Sequence, residues 1–236
     1  SKTECIIFVP KCKLKKVINF GVECNDHIIK SQPKLKYLGI DIDQHLSGES
    51  TVNSIIKKVN SRLKFMYRKA NCLSKETRKT LSMALIQCHF DYSCSSWYAG
   101  VSQKYKNSLQ VAQNKTVKFI NNMGPRSSVG RPELASVGFI CVEDRVKQLR
   151  LGHAHKIYYN KCPHYLKENF VKVSEHHTYN TRASHSNFVV PKIRGVDSTS
   201  FFYTAINDWN TLPNDLKTVE NHDSFKNNLK QFLKSR

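Results

Sequence analysis

From Lys34 to Asp43 apolar and polar positions alternate, with Leu38, Ile40 and Ile42 on one face and Tyr37, Asp41 and Asp43 on the other, the period of a strand. The period then changes. Val52, Ile55, Ile56, Val59, Leu63 and Met66 recur at helical spacing and predict a helix over residues 50–70 with one buried stripe, entered through a turn and cap at Ser47, Gly48 and Ser50. Its opposite face carries Lys57, Lys58, Arg62, Lys64, Arg68 and Lys69, with no acid among them. Upstream, short apolar or alternating runs predict strands over residues 5–9, 17–24 and 27–29, with Asn25 and Asp26 as a hairpin turn.

Downstream the pattern stays helical. Ser74 caps a second helix whose predicted stripe is Leu81, Ala84, Leu85 and Cys88. After Gly100 a third carries Tyr105, Leu109, Ala112, Thr116 and Ile120 on one face and stops near Gly124-Pro125. Three helices with short links pack as a small bundle. G-P-R-S-S-V-G-R-P, starting at Gly124, reads as a linker and domain boundary. Beyond it, residues 134–139 form a short element, and residues 142–159 form a helix on Val146, Leu149, His153 and Ile157, ended by Cys162-Pro163. Residues 172–195 read as a long loop or edge strand. A helix capped near Ser198 to Ser200 buries Phe202, Ala205, Ile206 and Trp209 and ends before Pro213. The last starts around Asp223 and uses Phe225, Leu229, Phe232 and Leu233. The predicted fold is α+β, mainly α: a small antiparallel sheet over residues 1–47, a three-helix bundle over 48–124 and a further helical segment over 125–236.

Composition adds a partner class. At 236 residues, 39% hydrophobic and 24% charged, the chain is globular and long enough to bury an ordinary core. Its formal charge of +20 attracts polyanions, and nucleic acid is the polyanion it suits best. Residues 48–125 hold thirteen Lys and Arg against three acids, a net +10. A merely solubilising surface would intersperse acids there. The eight cysteines include no C-x-x-C pair and read as reduced, intracellular thiols in a chain without a signal peptide. No apolar run reaches the roughly 20 residues of a membrane span, so the expected setting is the cytoplasm or nucleus rather than a membrane.

Four groups invite a chemical reading. Asp41 and Asp43 share a strand face and could hold Mg²⁺, though two carboxylates at that spacing also suit a solvated face. His153, His155, Cys162 and His164 are zinc-ligand types at spacings that fit no knuckle or ribbon, so no metal is assigned. Asp91 with Tyr92 and Trp97 with Tyr98 offer either a stacking surface for bases or ordinary packing aromatics. Lys11, Lys13, Lys15 and Lys16 form either a solvated loop or a second phosphate contact. No nucleophile elbow, phosphate-binding Walker loop or H-E-x-x-H motif is present.

S-K-T-E-C-I-I-F at Ser1 to Phe8, K-Y-L-G-I-D-I-D at Lys36 to Asp43 with its basic helix, H-T-Y-N-T-R at His177 to Arg182 and D-W-N-T-L-P at Asp208 to Pro213 stand in the order of one family's landmarks. Together they resemble the C-terminal part of the reverse transcriptase of non-LTR (LINE-type, jockey-like) retrotransposons. The resemblance implies that the first strands close the polymerase palm, that Tyr37, Leu38 and Gly39 form a hairpin that serves as the primer grip, and that the helices after it form the thumb. It gives Lys2 a weak catalytic part, as the lysine of the family's N-x-x-K-T stretch. It implies RNA, DNA or an RNA–DNA hybrid as partner, together with the upstream polymerase domains.

The family's metal-binding Asp-Asp turn has no counterpart, because no two Asp residues are adjacent in this chain. The expectation is a fragment inactive alone, with Mg²⁺ required only by a full polymerase. The alternative is a stand-alone, non-catalytic nucleic-acid-binding protein derived from such an element.

Overall fold

A computed structural model describes residues 3–9, 20–24, 27–176, 186–193 and 198–235. Lys2, the lysines between Lys11 and Lys16, the Asn25-Asp26 turn and the H-T-Y-N-T-R stretch lie outside these residues. The fold is α+β and mainly α, with its strands at the N-terminus. Among the described residues no helix is long and apolar enough to cross a membrane.

Two antiparallel hairpins replace the single small sheet that the alternation predicts. β1 (Gly21–Cys24) pairs with β2 (His27–Lys30), and β3 (Lys34–Tyr37) pairs with β4 (Ile40–Asp43). The two do not join into one ladder. Ser31 bridges back to Cys5, and Pro33 has no N–H to give. Residues 5–9, expected as a strand, make that bridge and are otherwise tied down at Val9, whose N–H donates to the Gln44 carbonyl at 2.9 Å and whose carbonyl lies 2.7 Å from His45 Nδ1.

The run over residues 34–43 is not the one strand of the alternation but a hairpin at Y-L-G, as the resemblance implies. Leu38 (φ 46°) and Gly39 (φ 84°) both sit in the left-handed region, as a two-residue hairpin turn requires. Tyr37 therefore pairs with Ile40 and shares its face, along with Ile42, while Lys34 and Lys36 stand opposite Asp43 and Asp41. A two-residue turn inverts the parity of the alternation. This moves Tyr37 to the apolar face.

α1 (Glu49–Tyr67) buries Val52, Ile55, Val59, Leu63 and Met66, the predicted stripe, with Ile56 at its edge. The second helix is α2 (Lys75–Ser82), a π-helical turn over Met83–Gln87, and α3 (Cys88–Asp91). Its predicted stripe holds at Leu81 and Leu85, which pack against the core, and fails at its other two positions. Ala84 and Cys88 are exposed, and Arg78, Ser82, Ile86 and Phe90 point inward instead. A π turn holds more than four residues, so the inward positions recur every fourth residue rather than at three and four. Arg78, counted among the cations of this region, is consumed in the interior: it donates to the Ala70 carbonyl at 2.9 Å and lies over the Phe119 ring.

α4 (Cys94–Trp97) leads into α5 (Gln103–Asn121), which packs along α1 and stops at Asn122, whose φ of 53° ends the helix before Gly124. α6 (Arg131–Ser136) follows. α7 (Val142–Tyr158) then belongs to both halves. Val142 and Val146 join the cluster of α1, α3 and α5, while Leu151, Ala154 and Ile157 join a second cluster built on Trp209 and Phe225. Ile140, just ahead of α7, also joins the second cluster, so the apolar clusters meet along α7 and its approach, and Leu134, Val137 and Phe139 beyond the Gly and Pro rich stretch still belong to the first. His153, expected on the buried stripe, is exposed, and His155 is buried in its place.

The second cluster is closed by single turns and two longer helices: α8 (His164–Lys167), α9 (Val173–His176), α10 (Phe201–Asn210), α11 (Asn214–Lys217) and α12 (His222–Lys234). D-W-N-T-L-P is its clasp. Asp208 binds Arg150 at 2.6 Å and Lys147 at 3.2 Å, and the Trp209 indole donates to the Ser186 carbonyl at 2.9 Å. The Asn210 amide accepts from the Phe188 N–H at 2.9 Å and donates to its carbonyl at 2.8 Å, while Leu212 is buried and Pro213 caps α11. Within the stretch expected as loop or edge strand, Lys172 and Phe188 make one antiparallel bridge.

Candidate nucleic-acid interface

What aims the hairpin at the helix is the turn between them. The Asp43 carboxylate accepts from the His45 N–H at 3.0 Å, the Ser47 N–H at 3.1 Å and the Ser47 hydroxyl at 2.9 Å. Burial raises its pKa, but these bonds together outweigh that and hold it below the ordinary carboxylate value. Asp43 is therefore a structural cap, not one half of a solvated or metal-binding pair with Asp41.

Gly48, not Ser50, is the N-cap of α1, at φ 68°. A Cβ there would lie 2.7 Å from Val101 Cγ2 and 3.2 Å from the Trp97 carbonyl oxygen. Gly48→Ala is expected to cost about 2–3 kcal/mol, combining the left-handed penalty with displacement of a buried neighbour. Urea denaturation measures this directly, and an unchanged midpoint would show that the turn is not fixed.

Tyr37 and Leu38 form the hairpin tip and are 60% and 72% exposed. The tip stands over a cavity of about 550 Å³. It is propped there by the Tyr92 hydroxyl, which donates to the Leu38 carbonyl at 2.6 Å. One helical turn earlier, His89 Nε2 accepts from Arg62 Nε at 3.2 Å. Burial, followed by the charges of Arg62 and Lys58, lowers the His89 pKa and keeps the imidazole neutral, as an acceptor must be. The hairpin tip and Arg62 are thereby tied to the same turn of α3.

All six predicted cations are exposed, and among the described residues none is paired with an acid. They do not form one row. At about 100° per residue, Lys57, Lys64 and Arg68 fall within about 40° of one another, and Lys58 and Arg62 form a second row about 120° away. Lys69 lies beyond the C-cap of α1. Lys57, Lys58 and Arg62 line one groove with Phe65 and Leu85. Lys64 turns into a different groove, shared with Lys115 and Lys118 of α5.

The aromatic group divides in the same way. Trp97 and Tyr98 are 8% and 5% exposed and pack edge to face, so they are core. Asp91 is held by Arg145 through two bonds, at 2.7 and 3.0 Å. Of the three aromatics only Tyr92 is exposed, and its hydroxyl is already used on Leu38. Of the zinc-type residues, His155 binds the Val219 carbonyl at 2.7 Å and His164 binds Glu168 at 3.2 Å.

Sequence reasoning missed His89, Lys115 and Lys118. The signal for the two lysines was there: α5 contains no acid, and both lie beside its buried Ala112 and Thr116 stripe rather than on it. No family model, curated protein or solved structure matches the chain.

Proposed function

We propose that this chain holds a nucleic-acid duplex, as the primer-grip and thumb portion of a non-LTR retrotransposon reverse transcriptase would. Phosphates of an RNA–DNA hybrid lie over Lys57, Lys58 and Arg62, with Lys64, Arg68 and Lys69 extending the cationic surface along α1 and past its end. Tyr37, Leu38 and Gly39 approach the primer end. The contacts neutralise the backbone without reading sequence. Catalytic carboxylates and Mg²⁺ would belong to polymerase domains outside this chain, and a stand-alone binding protein would use the same surface.

The observation that carries the reading is that among the described residues these cations meet no acid, on an element joined directly to an apolar tip. Leu38 is a β-turn residue at positive φ where Asn or Gly would cost less, and it is left in water. Phe65, 67% exposed, is a second apolar group set among cations, available to sugars or bases.

The test is binding of a fluorescent RNA–DNA hybrid across a salt series. The Lys57→Ala/Lys58→Ala/Arg62→Ala variant is expected to bind on the order of tenfold to hundredfold more weakly at low salt, with the slope of log K against log salt reduced by about 2.7 for three lost phosphate contacts. Equal affinity to the parent at low salt would remove this face from the assignment.

A further inference from the structure

The groove on the other side of α1 has a different character. It encloses about 690 Å³ between α1, α5 and the loop after α5. Lys64, Lys115 and Lys118 line it, and among the described residues no acid does. Lys118 donates to the Pro125 carbonyl at 2.7 Å, which holds the loop as the third wall. Tyr67, 49% exposed, presents its ring there, seated edge to face on Phe119 with centroids 5.0 Å apart. Val111, 53% exposed, continues the apolar floor from the facing helix.

From this we infer that the α1–α5 groove binds a single-stranded segment of nucleic acid, separately from the duplex contact at Lys57, Lys58 and Arg62, with Lys64 on the edge common to both. Three cations track phosphates along one side, and the supported aromatic ring with its aliphatic neighbour gives unstacked bases a surface to lie on. A paired duplex offers neither exposed base faces nor a strand narrow enough to enter between two packed helices. A flat cationic surface with no apolar floor, by contrast, would not favour single strands. The inference rests on the same premise as the reading above, that the partner is nucleic acid, but not on the duplex contact at Lys57, Lys58 and Arg62.

Binding of a labelled oligouridine and of an RNA–DNA hybrid, each measured on the whole chain by fluorescence anisotropy over a salt series, separates the two. The Lys115→Ala/Lys118→Ala variant is expected to lower the oligouridine salt slope by about 1.4, at about 0.7 per single-strand phosphate contact, and to leave the hybrid slope unchanged. Lys115→Glu keeps the Lys118–Pro125 bond and is expected to weaken oligouridine at least about tenfold. Tyr67→Ala is expected to weaken it about fivefold or more without changing the slope, the signature of lost stacking.

If the parent binds the hybrid but not oligouridine, or if Lys115→Glu weakens both alike, the groove assignment falls and the duplex reading stands. If the parent binds neither at low salt, both fall. Oligouridine binding that is lost in Lys115→Glu, beside a hybrid insensitive to the α1 triple variant, keeps the groove and removes the duplex surface.

Discussion

Replacing Trp209 by Ala is expected to remove about 4 kcal/mol of folding stability, a large part of the roughly 5–15 kcal/mol of an ordinary domain. Trp209 is fully buried, and its ring meets Tyr158 at 5.0 Å, Phe188 at 5.9 Å and Phe225 at 6.0 Å. Truncation leaves a cavity among rings contributed by separate segments, which cannot collapse together to fill it. It also removes the indole donor from the Ser186 carbonyl. Trp209→Phe retains most of the apolar volume and is expected to lose less than half as much. Urea denaturation followed by circular dichroism gives both values, and a loss below about 1 kcal/mol for Trp209→Ala would mean that the second cluster does not depend on this residue.

Asp208→Ala comes next, at about 3 kcal/mol. The Asp208, Arg150 and Lys147 side chains are 18%, 11% and 19% exposed, too buried for the small contribution of a surface pair. Both cations project from α7, and removing the carboxylate leaves them side by side without a counter-ion in a chain of formal charge +20. Asp208→Asn keeps an acceptor and is expected to cost roughly half as much. Double-mutant cycles with Arg150→Met isolate the pair, and a coupling energy under about 0.5 kcal/mol would class it with solvent-screened surface bridges.

The helices were legible because each buries one stripe: the apolar positions of α1, α5, α10 and α12 are where the periodicity places them. Legibility failed where the local period changed without a change in composition. Nothing in M-A-L-I-Q announces a π turn, and a two-residue turn at Leu38-Gly39 passes unseen in an alternation count, because strand residues flank it on both sides; only the resemblance placed a hairpin there. α7 was misread for a different reason: it is covered on more than one side, so no single stripe describes it. The cations of α1 were visible as a set. Their division between two grooves was not, since it depends on which neighbour packs on each flank, and α5 and α3 arrive from distant sequence.

That α7 is a wall common to both apolar clusters governs how the molecule comes apart. Melting the Trp209 side would loosen the last turns of α7, and with them the rod that carries Val142 and Val146 into the first cluster. Damage around Trp209 would thus reach the other cluster through a single rod. The first cluster takes residues from both sides of the Gly and Pro rich stretch, so separating the chain there would leave that core open.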